Sequence, residues 1–457
     1  MSRNLVRELA RLGWPVLVAQ LAVMANNLID TLMAGRYGTL DLAAVGIGSS
    51  IYFSVFVALM GVLLALTPLA AHLYGAGRHA EIGEEVRQSV WLAAALALVS
   101  LALFAWPEPF LVIAKLEAPL ELKVRAYLGA LAWAVPAGLL FRVFYGFSTA
   151  ISRPRTVMML SLIGLSLKVP LNWVFMYGHL GAPELGSTGC AVATAISSWT
   201  VCAAAWYWCW FDPGYRRFGV FSRWSWPEPK ALGRILSLGL PIGLTFLIDV
   251  TGFTFMALFI ARLGANYSAA HQIAANLAAL CFMLPLALGN AASVVVGQSL
   301  GAKNHARARA AGITGIVLAM CCAVVVGGAV YVCADAIAAL YSTDAEVRRI
   351  AAGLLVLVAV YHLFDALQAV AVNVLRGYKR AMVPMAIYAV ALWGVGLGGG
   401  YLIGLTPVDI DWLGASAPMG ARGFWFAAIA SLVLAGTLVT AYFLRVSATP
   451  PGSRPSP

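Results

Sequence analysis

The chain has 457 residues, of which 61% are hydrophobic and only 11% charged, with a mean hydropathy of +0.86. Soluble domains carry about 25% charged residues because a folded surface must face water, so a soluble globular chain is excluded. The net charge of +11 does not describe a nucleic-acid surface either: Lys and Arg fall in short clusters between apolar stretches, as in the cytoplasmic loops of membrane proteins.

Most of the apolar stretches run well past the ~20 residues that cross a ~30 Å hydrocarbon core. In chain order they predict helices over 14–33, 44–72, 88–107, 124–148, 156–176 and 190–211. A second six follow over 236–262, 270–299, 310–334, 348–374, 382–404 and 422–444. The expected fold class is an all-α integral membrane protein with about twelve transmembrane helices in two six-helix bundles. Residues 1–211 form the predicted N-terminal bundle and 236–445 the C-terminal one. Between them, 212–235 reads as a basic cytoplasmic linker, with Asp212-Pro213-Gly214, Arg216, Arg217, Arg223, Lys230 and Arg234. The tail 446–457, with Pro450, Pro451 and Pro455, is expected to be disordered. No cleavable signal peptide is expected, since the first apolar segment is long and lacks an evident small-residue cleavage site.

Loop charges set the orientation. Arg3, Arg7 and Arg11 precede the first helix, and Arg78, Arg87, Arg153, Arg155, Lys303, Arg307, Arg309, Arg376, Lys379 and Arg380 follow even-numbered helices. Loops after odd-numbered helices carry Glu108, Glu117, Glu184, Asp344, Asp409 and Asp411 instead. Both termini are therefore predicted to be cytoplasmic.

An internal repeat underlies the two bundles. A shift of 226 residues aligns Leu12-Gly13-Trp14-Pro15 with Leu238-Gly239-Leu240-Pro241. Without gaps it also pairs Arg36 with Arg262, Gly38 with Gly264, Gly75-Ala76 with Gly301-Ala302, and His79-Ala80 with His305-Ala306. Six spans per half is an even number, so both halves enter from the same side. The repeat is then parallel, with a pseudo-two-fold axis along the membrane normal. Two bundles around a central cleft suit alternating access better than a channel.

The seven cysteines lie in or beside apolar segments without a CxxC or Cys/His pair at metal spacing, so they read as packing residues. Pro15, Pro68, Pro136, Pro170, Pro241, Pro285 and Pro384 fall within spans, where each frees a backbone carbonyl and can bend its helix.

Three carboxylates stand where an apolar medium should not tolerate them: Asp30, Asp249 and Asp365. Under the repeat they map to Met256, Val23 and, with a local shift of 225, Leu140. None has a carboxylate twin, which favours function over scaffold. Spacings of three and four place Tyr361, Asp365 and Gln368 along one helical face. Their oxygens suit a hard cation such as Na⁺, and the same carboxylate can instead hold a proton. Asp249 lies thirteen residues into the seventh predicted helix, about 20 Å deep at 1.5 Å per residue. Asn26 and Asn27 share the face of Asp30, roughly 25 Å from the helix start. Arg142 and Lys168 lie at similar depth and could each neutralise an aspartate. Asn172, one turn after Lys168, could line the cavity or cap a helix break. His271 and Gln272 begin the eighth helix, where water is within reach, and His362 reads as a proton relay or an exposed or capping residue.

Several of these segments are specific enough to resemble a known family. Ile29-Asp30-Thr31-Leu32-Met33-Ala34-Gly35, Pro170-Leu171-Asn172-Trp173 and Gly181-Ala182-Pro183-Glu184-Leu185-Gly186 resemble the multidrug and toxic compound extrusion (MATE) transporters, NorM-like branch. So do Ala270-His271-Gln272, Leu375-Arg376-Gly377-Tyr378-Lys379 and Gly423-Phe424-Trp425, and the likeness spans essentially the whole chain. The resemblance implies two six-helix bundles around a V-shaped cavity and export of cationic lipophilic compounds in exchange for Na⁺ or H⁺. It also implies carboxylates at the positions of Asp30, Asp249 and Asp365, with a tyrosine matching Tyr361 near the cation site. The sequence departs at Asp249, where relatives commonly carry Glu.

The expected function is antiport. A Na⁺ ion would bind at Asp365, Tyr361 and Asp249, or a proton at these groups, while Asp30 takes a proton or the positive group of the substrate. Asp30, Asn26, Asn172, Gln272 and Gln368 are the expected substrate cavity. The partners are small cationic lipophilic compounds and the lipid bilayer, with no nucleic acid, no cofactor beyond the coupling ion, and a monomeric chain in the bacterial inner membrane. Two other classes fit less well. A flippase for a lipid-linked precursor needs several cavity cations for a pyrophosphate, and a membrane-embedded enzyme needs a motif such as HExxH, GxSxG or paired aspartates, which the spans lack.

Overall fold

The computed structural model describes residues 3–114, 116–407 and 418–448. Among them, twelve helices are long and apolar enough to cross a membrane. They are α1 (Arg3–Tyr37), α2 (Thr39–Gly75), α3 (His79–Ala105), α4 (Ala118–Ala150), α5 (Pro154–Tyr177) and α6 (Ser187–Phe211). The second six are α7 (Pro229–Ala261), α8 (Ala265–Gly301), α9 (His305–Val332), α10 (Ala345–Gly377), α11 (Met382–Leu405) and α12 (Ala421–Ala448). Every expected span is present, and most extend beyond the apolar run that announced them. Helical hydrogen bonding continues into the polar flanks because the backbone, unlike the side chains, has no reason to stop at the edge of the hydrocarbon.

Caps and prolines explain where these helices end and break. The Asp344 carboxylate accepts from the Glu346 and Val347 amides and opens α10, and Asn304 accepts from the Arg307 amide to open α9. Gly178 closes α5 at φ +72, a left-handed turn that a side chain would strain. α2 is interrupted between Leu63 and Leu66 and α4 at Trp133. Pro68 and Pro136 follow a few residues later and cannot donate to the carbonyl one turn back, so the chain tightens into i→i+3 bonds at Leu64 and Trp133. Pro15, Pro170, Pro241 and Pro285 lie inside helices that run on. In α11 the stretch Val390–Gly398 is wound as a π-helix.

The repeat persists in the helix bounds. α2 and α8 start at 39 and 265 and end at 75 and 301, and α3 and α9 start at 79 and 305, all 226 apart. α4 and α10 start at 118 and 345. That offset of 227 sets Asp365 opposite Gly138 rather than Leu140, and again no carboxylate faces it.

By its contacts the chain divides into two units, one of Met1–Gly13 with Leu244–Pro457 and one of Trp14–Gly243. The expected boundary at 212–235 is corrected accordingly. The core of the first unit includes Leu5, Leu9 and Leu12 with Leu288, Val370 and Phe443, so the opening turns of α1 pack among C-terminal helices. A second cluster in that unit centres on Leu354, Val358, Phe424 and Trp425. In the Trp14–Gly243 unit, Ala34, Val45, Tyr127, Leu131 and Met176 form a compact core.

The segment expected as a linker belongs to this latter unit and is docked on α3. Arg87 donates to the Gly219 and Val220 carbonyls and to Ser225, Gln88 to the Trp226 carbonyl, and Trp91 to the Ser225 carbonyl. Gly83 allows the approach, since a Cβ there would lie 2.1 Å from the Phe218 carbonyl oxygen. Residues from Pro229 onward already belong to α7. The last helix runs to Ala448, into the segment expected as tail; the rest of that tail, with Asp409 and Asp411, lies outside the described residues. Arg376, expected in a loop, sits in the last turn of α10 and is buried.

Candidate functional site

The three intramembrane aspartates fall into two polar centres, one in each unit. In the Trp14–Gly243 unit, the spacing of α1 brings Asp30 against α5. Lys168 Nζ lies 3.0 Å from one Asp30 carboxylate oxygen, and the Asn172 amide donates to the other at 2.8 Å. The side chains of Lys168 and Asp30 are only 2% and 10% exposed, so this is a buried ion pair. Thr194 and the Cys190 carbonyl take further hydrogen bonds from Lys168. Lys168 and Asn172 are one turn apart, and Pro170 between them does not interrupt the helix. Lys168 therefore does what its depth suggested and neutralises an aspartate. Arg142 does not; it lies over the Tyr145 ring and donates to the Met60 sulfur. The carbonyl oxygens of Asn26 and Asn172 are buried without a hydrogen bond, leaving two acceptors beside the pair.

The second centre lies in the other unit. Asp365 is buried in mid-α10, one turn after the buried Tyr361, whose ring packs against Trp425 and Phe253. Asp249, partly exposed on α7, accepts a 2.6 Å hydrogen bond from the Tyr388 hydroxyl on α11. The two carboxylates are near enough for their charges to act on one another. Among the described residues neither has a basic partner, and no side chain hydrogen-bonds to Asp365. Tyr388 is the residue that the sequence reading missed. Its only local signal is a tyrosine one turn past Pro384.

A cleft opens beside this centre, lined by Thr245, Asp249, Gln368, Asn373, Arg376 and Tyr388, with Phe246, Phe282, Leu286, Ala369 and Val372 as its apolar wall. Gln368, expected on one face with Tyr361 and Asp365, shares this cleft with Asp249, whereas Tyr361 and Asp365 stand outside the lining. Gln272 does not join it: the side chain is exposed and bonded to Asn276 one turn on. His271 departs from expectation, and His362 is not the exposed residue that was one of its readings. His271 is 3% and His362 1% exposed, and a ring nitrogen of the first and both of the second lack partners. Position at the start of a helix suggested access to water for His271, but packing against Trp425 covers it. No group of three or more His, Cys, Asp or Glu among the described residues could hold a metal ion. A site for Na⁺ would have to draw on Asp249, Asp365 and the tyrosine hydroxyls.

Twelve apolar spans among the described residues, with buried carboxylates in each unit, define a multi-pass membrane protein. The family profile described as MatE matches residues 15–174 and 241–402. The chain is 42% identical over 439 residues to "Probable multidrug resistance protein NorM" of Aromatoleum aromaticum, covering 95% of this chain and 92% of that one. It is 38% identical to "Multidrug resistance protein PmpM" of Pseudomonas aeruginosa, over 95% of this chain and 90% of the relative. Among solved structures, the Vibrio cholerae MATE transporter VcmN in its bent form superposes with a TM-score of 0.84 at 21% identity, covering 97% of each chain. The eukaryotic MATE transporter AtDTX14 gives 0.84 at 20% identity, covering 98% of this chain and 96% of that one. At such identities the likeness shows a shared fold. The chain belongs to the MATE family and is a NorM-like MATE transporter.

Proposed function

We propose that this transporter exports small cationic, lipophilic compounds in exchange for Na⁺ or H⁺ by alternating access. One observation carries the reading. Among the described residues, Asp249 and Asp365 lie near enough for their charges to act on one another, and neither is paired with a basic side chain. Two neighbouring carboxylates in an apolar medium favour a bound cation or proton, and relatives named as multidrug resistance proteins support the substrate class. Asp365 with Asp249 holds the coupling ion, and the tyrosine hydroxyls of Tyr361 and Tyr388 complete its oxygen set. Ion binding removes negative charge from the unit, which weakens the hold on a cationic substrate. A ligand shifts the equilibrium between two states only through its different affinity for them, and neutralising a carboxylate supplies that difference. At Asp30, a substrate cation or a proton must compete with the Lys168 ammonium, with Asn26 and Asn172 offering free acceptor oxygens.

The charge bias of the loops supports both termini in the cytoplasm, and the bacterial relatives support the inner membrane. The chain is proposed to work as a monomer. A flippase for a pyrophosphate-linked lipid is less well supported, because Lys168 is paired to Asp30 and Arg142 is packed on Tyr145.

Ethidium efflux from inverted or reconstituted vesicles tests the reading, with Na⁺ and H⁺ gradients applied separately to wild type and Asp365→Asn. Transport driven by one gradient and lost in the variant is the expected result. Absence of gradient-driven transport for this and other cationic dyes would end the proposal. Normal transport by the variant would remove Asp365 from it.

A further inference from the structure

The segment that follows α6 presents a surface outside both polar centres. Two aromatic side chains fasten it to the Trp14–Gly243 unit. Tyr215 is fully buried against Phe144 and Phe147, with its hydroxyl 2.7 Å from Ser148 Oγ, and Phe218 is fully buried against Phe147. With the hydrogen bonds to α3, these anchors fix the chain that carries the outer side chains. Trp224 and Trp226 are 73% and 75% exposed. Their rings lie 5.6 Å and 6.4 Å from that of Trp91 and 6.3 Å from each other. Phe221 extends this aromatic face, with its ring 4.9 Å from that of Trp210 in the last turn of α6. Tryptophans gather at the level of the lipid headgroups, where one end of the ring meets an apolar medium and the other meets water. The face therefore lies at the membrane interface.

The cations beside these rings outnumber the acids that could pair with them. Asp212 holds Arg153 at 3.0 Å, and Glu85 holds Arg234 at 2.9 Å. Glu84 is shared between Arg87 at 2.6 Å and Arg223 at 2.9 Å, which leaves one positive charge uncompensated. Arg216, Arg217 and Lys230 are exposed, and among the described residues none has a carboxylate partner. Glu228 is the only acid between Pro213 and Lys230. We infer that this face docks the headgroups of anionic phospholipids in the leaflet it adjoins. Phosphodiesters meet Arg216 and Arg217 at one end of the segment and Arg223 and Lys230 at the other, while Trp224 and Trp226 rest at the border with the acyl chains. A guanidinium presents paired N–H donors to phosphate oxygens, and basic clusters beside a span attract anionic lipid. A zwitterionic headgroup carries its own ammonium and gains less. Because the segment is already fastened, little ordering is lost on binding. This contact is independent of what the protein exports.

Native mass spectrometry of the detergent-purified full chain tests the inference, with phosphatidylglycerol and phosphatidylcholine of the same acyl chains added in turn. Wild type is expected to bind phosphatidylglycerol about tenfold more tightly or better. Equal affinities would overturn the proposal and leave the face a belt that any lipid contacts. Arg216→Gln with Lys230→Gln removes two exposed charges without breaking an ion pair, so the protein is expected to fold. In this variant the preference should fall by about threefold or more, and a smaller fall overturns the proposal. Lys303→Gln with Arg309→Gln removes two exposed charges from the other unit and is expected to leave the preference within about twofold of wild type. Equal losses in the two variants also overturn the proposal, because lipid preference would then follow net charge and not this face.

Discussion

Asp30 and Asp365 are both buried aspartates, but their surroundings differ. Asp30 is held by Lys168 and Asn172, so Asp30→Asn strands a lysine whose side chain is 2% exposed. Breaking one side of a buried pair costs about 3–5 kcal/mol, whereas replacing both partners can be neutral. Thermal unfolding in detergent should therefore show a large loss for Asp30→Asn and recovery in Asp30→Asn with Lys168→Met. Asp365→Asn should unfold near the wild-type temperature, since it frees no cation. An Asp30→Asn protein as stable as wild type would contradict the pairing. Tyr388→Phe removes the hydroxyl that donates to Asp249 at 2.6 Å, and hydrogen bonds to charged groups contribute about 1.5–3 kcal/mol. Apparent affinity for the coupling ion should change about tenfold or more in that variant, and an unchanged ion dependence of transport would exclude Tyr388 from the site. The three acidic positions were legible in the sequence because charge in an apolar run is conspicuous. Tyr388 and the burial of Arg376 were not. A tyrosine is unremarkable in a span, and Arg376 stands just past an apolar run that ends near residue 374, so charge pattern alone put it in a loop.

The same contrast between pattern and packing governs the helices. All twelve spans could be read from hydrophobic runs, but the seven prolines could not be sorted by sequence. Only Pro68 and Pro136 sit just beyond breaks, in α2 and α4, while α1, α5, α7 and α8 absorb theirs. Whether a freed carbonyl breaks a helix depends on neighbours that local sequence does not reveal. The polar stretch after α6 looked like a spacer because it is charged and rich in proline. Its carbonyls instead meet Arg87, Gln88 and Trp91 on α3, and the backbone approaches Gly83 too closely for a side chain. Gly83→Ala should destabilise the protein by about 1–3 kcal/mol through overpacking. Gly46→Ala, in a site where a Cβ meets nothing within 4 Å, should leave the unfolding temperature unchanged. Equal behaviour of the two variants would mean that the docked segment contributes nothing.

Over the whole molecule, the repeat was legible and the unit boundary was not. The 226-residue offset recurs in the bounds of α2 with α8 and of α3 with α9, because it is written in glycines, an arginine and a histidine outside the apolar noise. The division at Gly13/Trp14 and Gly243/Leu244 falls inside continuous helices. It lies in or just past the matching Leu-Gly-x-Pro segments, where hydropathy gives no mark. The proposal for the whole transporter is that substrate and ion move in opposite directions through one coupled cycle. Substrate-driven ion flux is the most direct measurement of it. In proteoliposomes with no ion gradient, an imposed ethidium gradient should drive Na⁺ or H⁺ the opposite way, and Asp365→Asn should abolish that flux. Ethidium movement without counterflow of either ion would contradict exchange and leave a uniporter in its place.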